Sequence, residues 1–192
     1  MLKYNDNKKA YISVGAVGTI VASVDIANGT QIILAQPDYP RTINITVTNT
    51  NADITAGVVT VTGKAISGSV VSESVDLASA FTLAGTVIFA SVTSVVVTGL
   101  LNASTGDTIT IDTGNNVQLT QGRTTLVNVI VGGGAGQVGK YDIIDNNTGT
   151  TANIAELKQA IAAGVYEFNC SIAVGLRIVM AGATNLTVTY SQ

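Results

Sequence analysis

The 192-residue chain has no histidine, no tryptophan, one cysteine and two prolines, and only 11% of it is charged. The missing histidine removes the usual general base at neutral pH, the histidine-paired serine or cysteine nucleophile, and the commonest metal ligand. Cys170 is alone, so no internal disulfide can form and no oxidising compartment is implied. It reads as a small buried apolar side chain with no base to activate it. The aromatics are few and scattered, which gives little support to a platform for stacking sugars or bases. Net charge is −3 and the longest basic run is Lys8-Lys9, so neither a phosphate-binding face nor a nucleic-acid partner is expected.

Thr, Ser, Asn and Gly stand where an ordinary domain, roughly a quarter charged, carries Lys and Glu. Thr and Val suit a pleated surface, and Gly and Asn suit tight turns. Apolar residues make up 46% of the chain, enough for a sizeable core. In RTINITVTNT, Ile43, Ile45 and Val47 alternate with Thr42, Asn44, Thr46 and Thr48, the period of a strand with one wet face. Val59 and Val61 repeat the pattern, as do Ile109 and Ile111, while Val92, Val95 and Val97 lie in a more continuously apolar run. Turn formers separate these runs: Ala27-Asn28-Gly29, Gln36 to Pro40, Gly63, Gly68 and Thr105-Gly106-Asp107. Many short strands at regular spacing predict an all-β fold, an antiparallel sandwich or barrel, in two β domains.

Thr113-Gly114-Asn115-Asn116 is the expected boundary, giving a first domain over 11–115 and a smaller one over 116–192. In the second, Ile154, Leu157 and Ile161 recur at helical spacing. Asn153 stands as a cap, Glu156 follows three residues later and Gly164 is a stop, which together predict a short helix over 153–163.

Two stretches imitate membrane or export signals. Lys8-Lys9 precedes the apolar run AYISVGAVGTIVASV, but Gly, Ser and Thr dilute it and no cleaved leader is expected. Residues 82–101 are long enough to span a bilayer, yet eight of the twenty are Ser, Thr or Gly, so two strands and a short turn are expected instead.

The run LVNVIVGGGAGQVG contains Gly134-x-Gly136-x-x-Gly139, the spelling of a dinucleotide fingerprint. That motif works only if a helix opens at the glycines and turns its amino end to the pyrophosphate. Here Lys140 to Asp145 follow, strand formers again, so the expectation is a hairpin loop joining LVNVIV to KYDIID. Glu156 matches the ribose-binding acid by count alone. Asp142 and Asp145 are a tempting carboxylate pair, but three residues apart on a strand they point to opposite faces. Asp145-Asn146-Asn147-Thr148-Gly149 (145–149) begins like a calcium loop and lacks the distal bidentate glutamate, leaving at most a weak cation turn. No catalytic residue, metal ligand or cofactor is assigned, and an enzyme is not expected.

YPRTINITVTNTNADITAGVVTVTGKAISGSVVSESVDLA, with FASVTSVVVTGL and GDTITIDTG beyond it, resembles β-rich virion proteins of tailed bacteriophages. GRTTLVNVIVGG, GKYDIID and GVYEFNCSIAVGLRIVMAGATNLTVTYS resemble small β modules of similar phage proteins. The resemblance covers most of residues 38–192 and is one of texture and strand order. It implies a capsid decoration (cement) protein, head fibre or neck component on the virion surface. The implied partners are the major capsid protein and further copies of the chain, as a dimer or trimer, with no membrane partner. Residues 1–10 would then be a polar arm. A receptor- or glycan-binding fibre module is the competing expectation.

Overall fold

The structure, a computed structural model, describes residues 7–12, 18–132, 140–145, 153–157, 162–181 and 185–192. Among these there are fifteen strands and no helix. In chain order they are β1 (Asn7–Ile12), β2 (Thr19–Asp25), β3 (Gly29–Thr30), β4 (Arg41–Thr48), β5 (Ala56–Lys64), β6 (Val70–Asp76), β7 (Thr82–Ala84) and β8 (Ser91–Leu101). Then follow β9 (Thr108–Gln118), β10 (Thr124–Val131), β11 (Lys140–Asp145), β12 (Asn153–Leu157), β13 (Gly164–Ile172), β14 (Leu176–Ala181) and β15 (Leu186–Ser191). The strands pair antiparallel in open sheets, none closed into a barrel.

Two compact units result. One is Val17–Gly114; the other joins Asn115–Gln192 to the amino-terminal strand. β9 runs through the division, pairing with β2 over Thr108–Asp112 and with β14 over Asn116–Gln118.

In the Val17–Gly114 unit the alternation predicted from sequence sets the two inner faces. Ile43, Ile45, Ile109 and Ile111 come from the sheet holding β4 and β9. Val59, Val61, Val95 and Val97 come from the sheet ordered β3-β8-β5-β6. They meet in one buried cluster, with Phe89 fully enclosed, and so form a β-sandwich. Thr46 and Thr48 face water, as period two demands, Asn44 is half-buried, and Thr42, expected on the wet face, is buried instead, close against Gly114. The uncharged run 82–101 is β7, a bridge at Phe89 and β8. No helix among the described residues is long and apolar enough to cross a membrane.

Gly63 does not make the expected turn; it lies inside β5, where the pairing with β8 shifts register between Thr62 and Gly63. A Cβ there would collide with the Ser91 carbonyl oxygen, so only hydrogen fits the close approach of the bulged strands.

The other unit departs further from the sequence reading. Residues 7–10, expected in an arm, belong to β1, which pairs with β15 from Asn7↔Ser191 to Ile12↔Leu186. Ala10 and Ile12 alternate into the core, and their burial holds the strand in place. Tyr11 and Ile12 therefore belong with the carboxy-terminal unit, not with the domain expected over 11–115.

The helix expected over 153–163 is also corrected. Residues 153–157 form β12, paired with β11 through Asp142↔Glu156 and Tyr141↔Leu157; 158–161 lie outside the described residues. An eleven-residue helix is marginal alone, whereas the edge of β11 satisfies the backbone of this segment immediately. The predicted hairpin fails too. β10 is flanked on both sides by β13 and β15, so it has no free edge for β11, which pairs with β12 and β14 in another sheet. Cys170 is half-buried on β13 rather than enclosed.

Candidate functional site

Gly134, Gly136 and Gly139 lie outside the described residues, as does the 146–149 portion of the candidate cation turn. The segment after the glycines is the strand β11, not a helix, so the mechanical requirement of a dinucleotide fingerprint is unmet. Asp142 and Asp145 stand opposite Val179 and Leu176 in the β11–β14 register, three residues apart on one strand. Glu156 is placed in β12. Among the described residues no group of three or more Cys, Asp or Glu is close enough to hold a metal ion.

Two buried charged groups of the Val17–Gly114 unit, Asp107 and Arg41, serve the fold. Asp107 has no accessible surface, and its carboxylate accepts the amides of Thr50 at 2.7 Å and Ser104 at 2.8 Å. These hydrogen bonds, that from the Ser104 amide foremost, hold the Asp107 carboxyl below the usual carboxylate range. Around it the Thr50 hydroxyl donates to the Gly106 carbonyl (2.8 Å) and Asn51 Nδ2 to the Ser104 hydroxyl (2.7 Å). These bonds lace two loops together at one end of the sandwich. Arg41 is 1% exposed, and its Nε lies 2.9 Å from Asp38 Oδ1 while Nη2 donates to Oδ2 at 3.1 Å. Burial pushes the Arg41 guanidinium down and Asp38 opposes that shift. The pair pins the Pro37–Pro40 turn onto β4.

The carboxy-terminal unit presents a different kind of surface. Its sheet is ordered β1-β15-β10-β13, and one face, carrying Ala10, Ile12, Val129, Val131, Leu186 and Val188, is buried. The register then fixes the rows on the opposite face. Tyr11 pairs with Thr187, Thr187 with Ile130 and Ile130 with Val165, a line across all four strands. Its two ends are exposed apolar side chains, Tyr11 at 65% and Val165 at 55%. The neighbouring line is Lys9, Thr189, Asn128 and Glu167, with an exposed cation on one edge strand, an exposed anion on the other, and the two middle residues shielded between them. At the foot of this face, beside Arg123, Thr125, Ser171 and Ser191, lies an open recess of about 400 Å³.

No sequence motif marks these residues. The signal in NKKAYI is the alternation of Lys9 and Tyr11 with Ala10 and Ile12, hidden because the segment was too polar at its start to announce a strand.

The fold and its surfaces thus define an all-β protein of two antiparallel units whose exposed features are faces and edges of sheets. Compared with known protein families, curated proteins and solved structures, the chain matched none.

Proposed function

We propose that this chain is a structural protein of a tailed-bacteriophage virion, a capsid decoration protein that lies on the major capsid protein lattice and braces neighbouring subunits. The observation that carries the reading is the outward apolar display on a charge-poor chain. Ile32 (74% exposed), Leu34 (63%), Val70 (74%) and Leu101 (56%) on one unit join Tyr11 and Val165 on the other. Such side chains gain by being covered, and covering them is adhesion by area. Repetition over a lattice multiplies each modest contact through effective concentration. The resemblance of residues 38–192 to phage β modules supports the same reading. The test is co-sedimentation of the purified chain with heads lacking it, and the temperature at which bare and coated heads burst. Saturable binding and a higher burst temperature are expected; equal burst temperatures would sink the proposal.

The recess beside Arg123 favours a second reading, a receptor- or glycan-binding fibre module, because hydroxyls and a guanidinium suit a small polar ligand. A glycan array decides it: saturable binding abolished by Arg123→Ala supports the fibre module, and an empty array removes it.

A further inference from the structure

The outer face of the β1-β15-β10-β13 sheet carries a charge pattern that selects its own partner. Lys9 sits on one edge strand and Glu167 on the other, in the same line across the sheet. Both side chains are exposed. We infer that this face is a self-association surface whose occupant is a second copy of the same chain, stacked face to face about a two-fold axis running along the strands.

The geometry of that axis follows from the strand order alone. A two-fold lying between the stacked faces and parallel to the strands exchanges β1 with β13 and β15 with β10, keeping every line at its own height. Lys9 of one copy then lies over Glu167 of the other, and Glu167 over Lys9. In the adjacent line Tyr11 lies over Val165 and Thr187 over Ile130. Within these two lines each charge meets its opposite and each exposed apolar end meets another. The alternative two-fold, across the strands, stacks β1 on β1 and β13 on β13; along this line it would set Lys9 on Lys9 and Glu167 on Glu167, and at no height does it bring Lys9 over Glu167. Aligned stacking at the small angle imposed by sheet twist suits the first axis.

The size of the face sets the strength. Four strands about 4.8 Å apart and six residues of about 3.4 Å each give roughly 400 Å² in projection per copy. Two such faces come to about 800 Å² in total, below the usual size of specific interfaces, and the exposed edge strands supply most of it because Thr189 and Ser191 are already shielded. The dimer is reversible, with a dissociation constant on the order of micromolar. It forms whether or not the chain meets a virion.

The test is sedimentation equilibrium of the full chain with charge reversals at the two positions. Two-fold symmetry makes each single change count twice. Lys9→Glu or Glu167→Lys alone replaces two attractions by two repulsions, and is expected to weaken the dimer about tenfold or more. The doubly reversed chain, Lys9→Glu with Glu167→Lys, restores the opposition and is expected to return to within about threefold of the parent. A chain that stays monomeric to high concentration overturns the inference, as does a dimer indifferent to single reversals or a double reversal that fails to rescue. A second measurement uses Tyr11→Cys with Val165→Cys on a Cys170→Ser background and a short bis-maleimide. Within one copy those positions are three strand spacings apart, about 14 Å and beyond its reach, so only a two-fold pair cross-links. Recovery of monomer alone, with circular dichroism showing native strand content, would count against the face.

Discussion

The Val17–Gly114 unit is built from one continuous stretch of chain, whereas the Asn115–Gln192 unit is completed by a strand from the opposite end of the sequence. In the first, neighbouring hairpins such as β5–β6 and the β5–β8 pairing create the inner face. In the second, β15 must find β1 across nearly the whole chain before Ala10 and Ile12 can be buried. The first unit uses buried Asp107 and Arg41 to lock loops, and the second displays a patterned face. Local closure makes a sealed sandwich; non-local closure leaves a sheet whose edge strands, β1 and β13, carry the opposed charges and the exposed apolar ends.

The sharpest way to break that contrast is to damage each unit separately and read hydrogen exchange strand by strand. Phe89→Ala empties a fully buried site in the first unit and is expected to cost about 3–5 kcal/mol, with protection lost in β5 and β8 before β10 and β15. Ile12→Ala in the second is expected to cost about 3 kcal/mol and to expose β15 and β10 first. If either substitution loosened both sets of strands equally, the two units would be one cooperative body. Asp38→Asn removes the partly exposed partner of the buried Arg41 guanidinium. It is expected to cost about 2 kcal/mol, read as a lower denaturant midpoint with unchanged slope.

Asp107 adds a pH dependence confined to the first unit. Its carboxyl titrates lower folded than unfolded, so its contribution is fully present above the unfolded value near 4 and lost as pH falls through the folded value. Thermal melts should therefore show Asp107→Asn least stable relative to the parent at neutral pH, with the gap closing in acid. Val70→Lys, on an exposed position of the edge strand β6, is expected to shift unfolding by no more than about 0.5 kcal/mol, checked by the same melts.

What the sequence made legible follows the same division. Alternation at Ile43–Ile45–Val47 and at Ile109–Ile111 is a local property, and it identified strands and inner faces directly. At Gly63 the sequence is ambiguous because a glycine in a bulge and a glycine in a turn are the same letter; only the approach of Ser91 distinguishes them. The segment 153–157 could not be assigned from its own residues, since its conformation depends on an edge offered by β11. Likewise LVNVIV and KYDIID look like hairpin partners until β13 and β15 take both sides of β10. The candidate face was hidden for the same reason: Lys9 and Glu167 are 158 positions apart in the chain and share a line only through three successive registers.

Between Gln31, whose amide reaches the Val95 carbonyl, and the Pro37–Pro40 turn, the backbone leaves the margin of β8 and swings toward β2, where the Leu34 amide donates to Ile20. The vacated stretch of β8 is closed by a side chain: Gln36 Nε2 donates to the Val92 carbonyl at 3.0 Å and Gln36 Oε1 accepts the Val92 amide at 2.8 Å. A carboxamide has the same donor and acceptor as a peptide group, so one glutamine impersonates one residue of a missing strand. This latch spares Ile32 to Ala35 from pairing with β8, and it covers one residue of an open edge on which other chains could otherwise stack into fibrils.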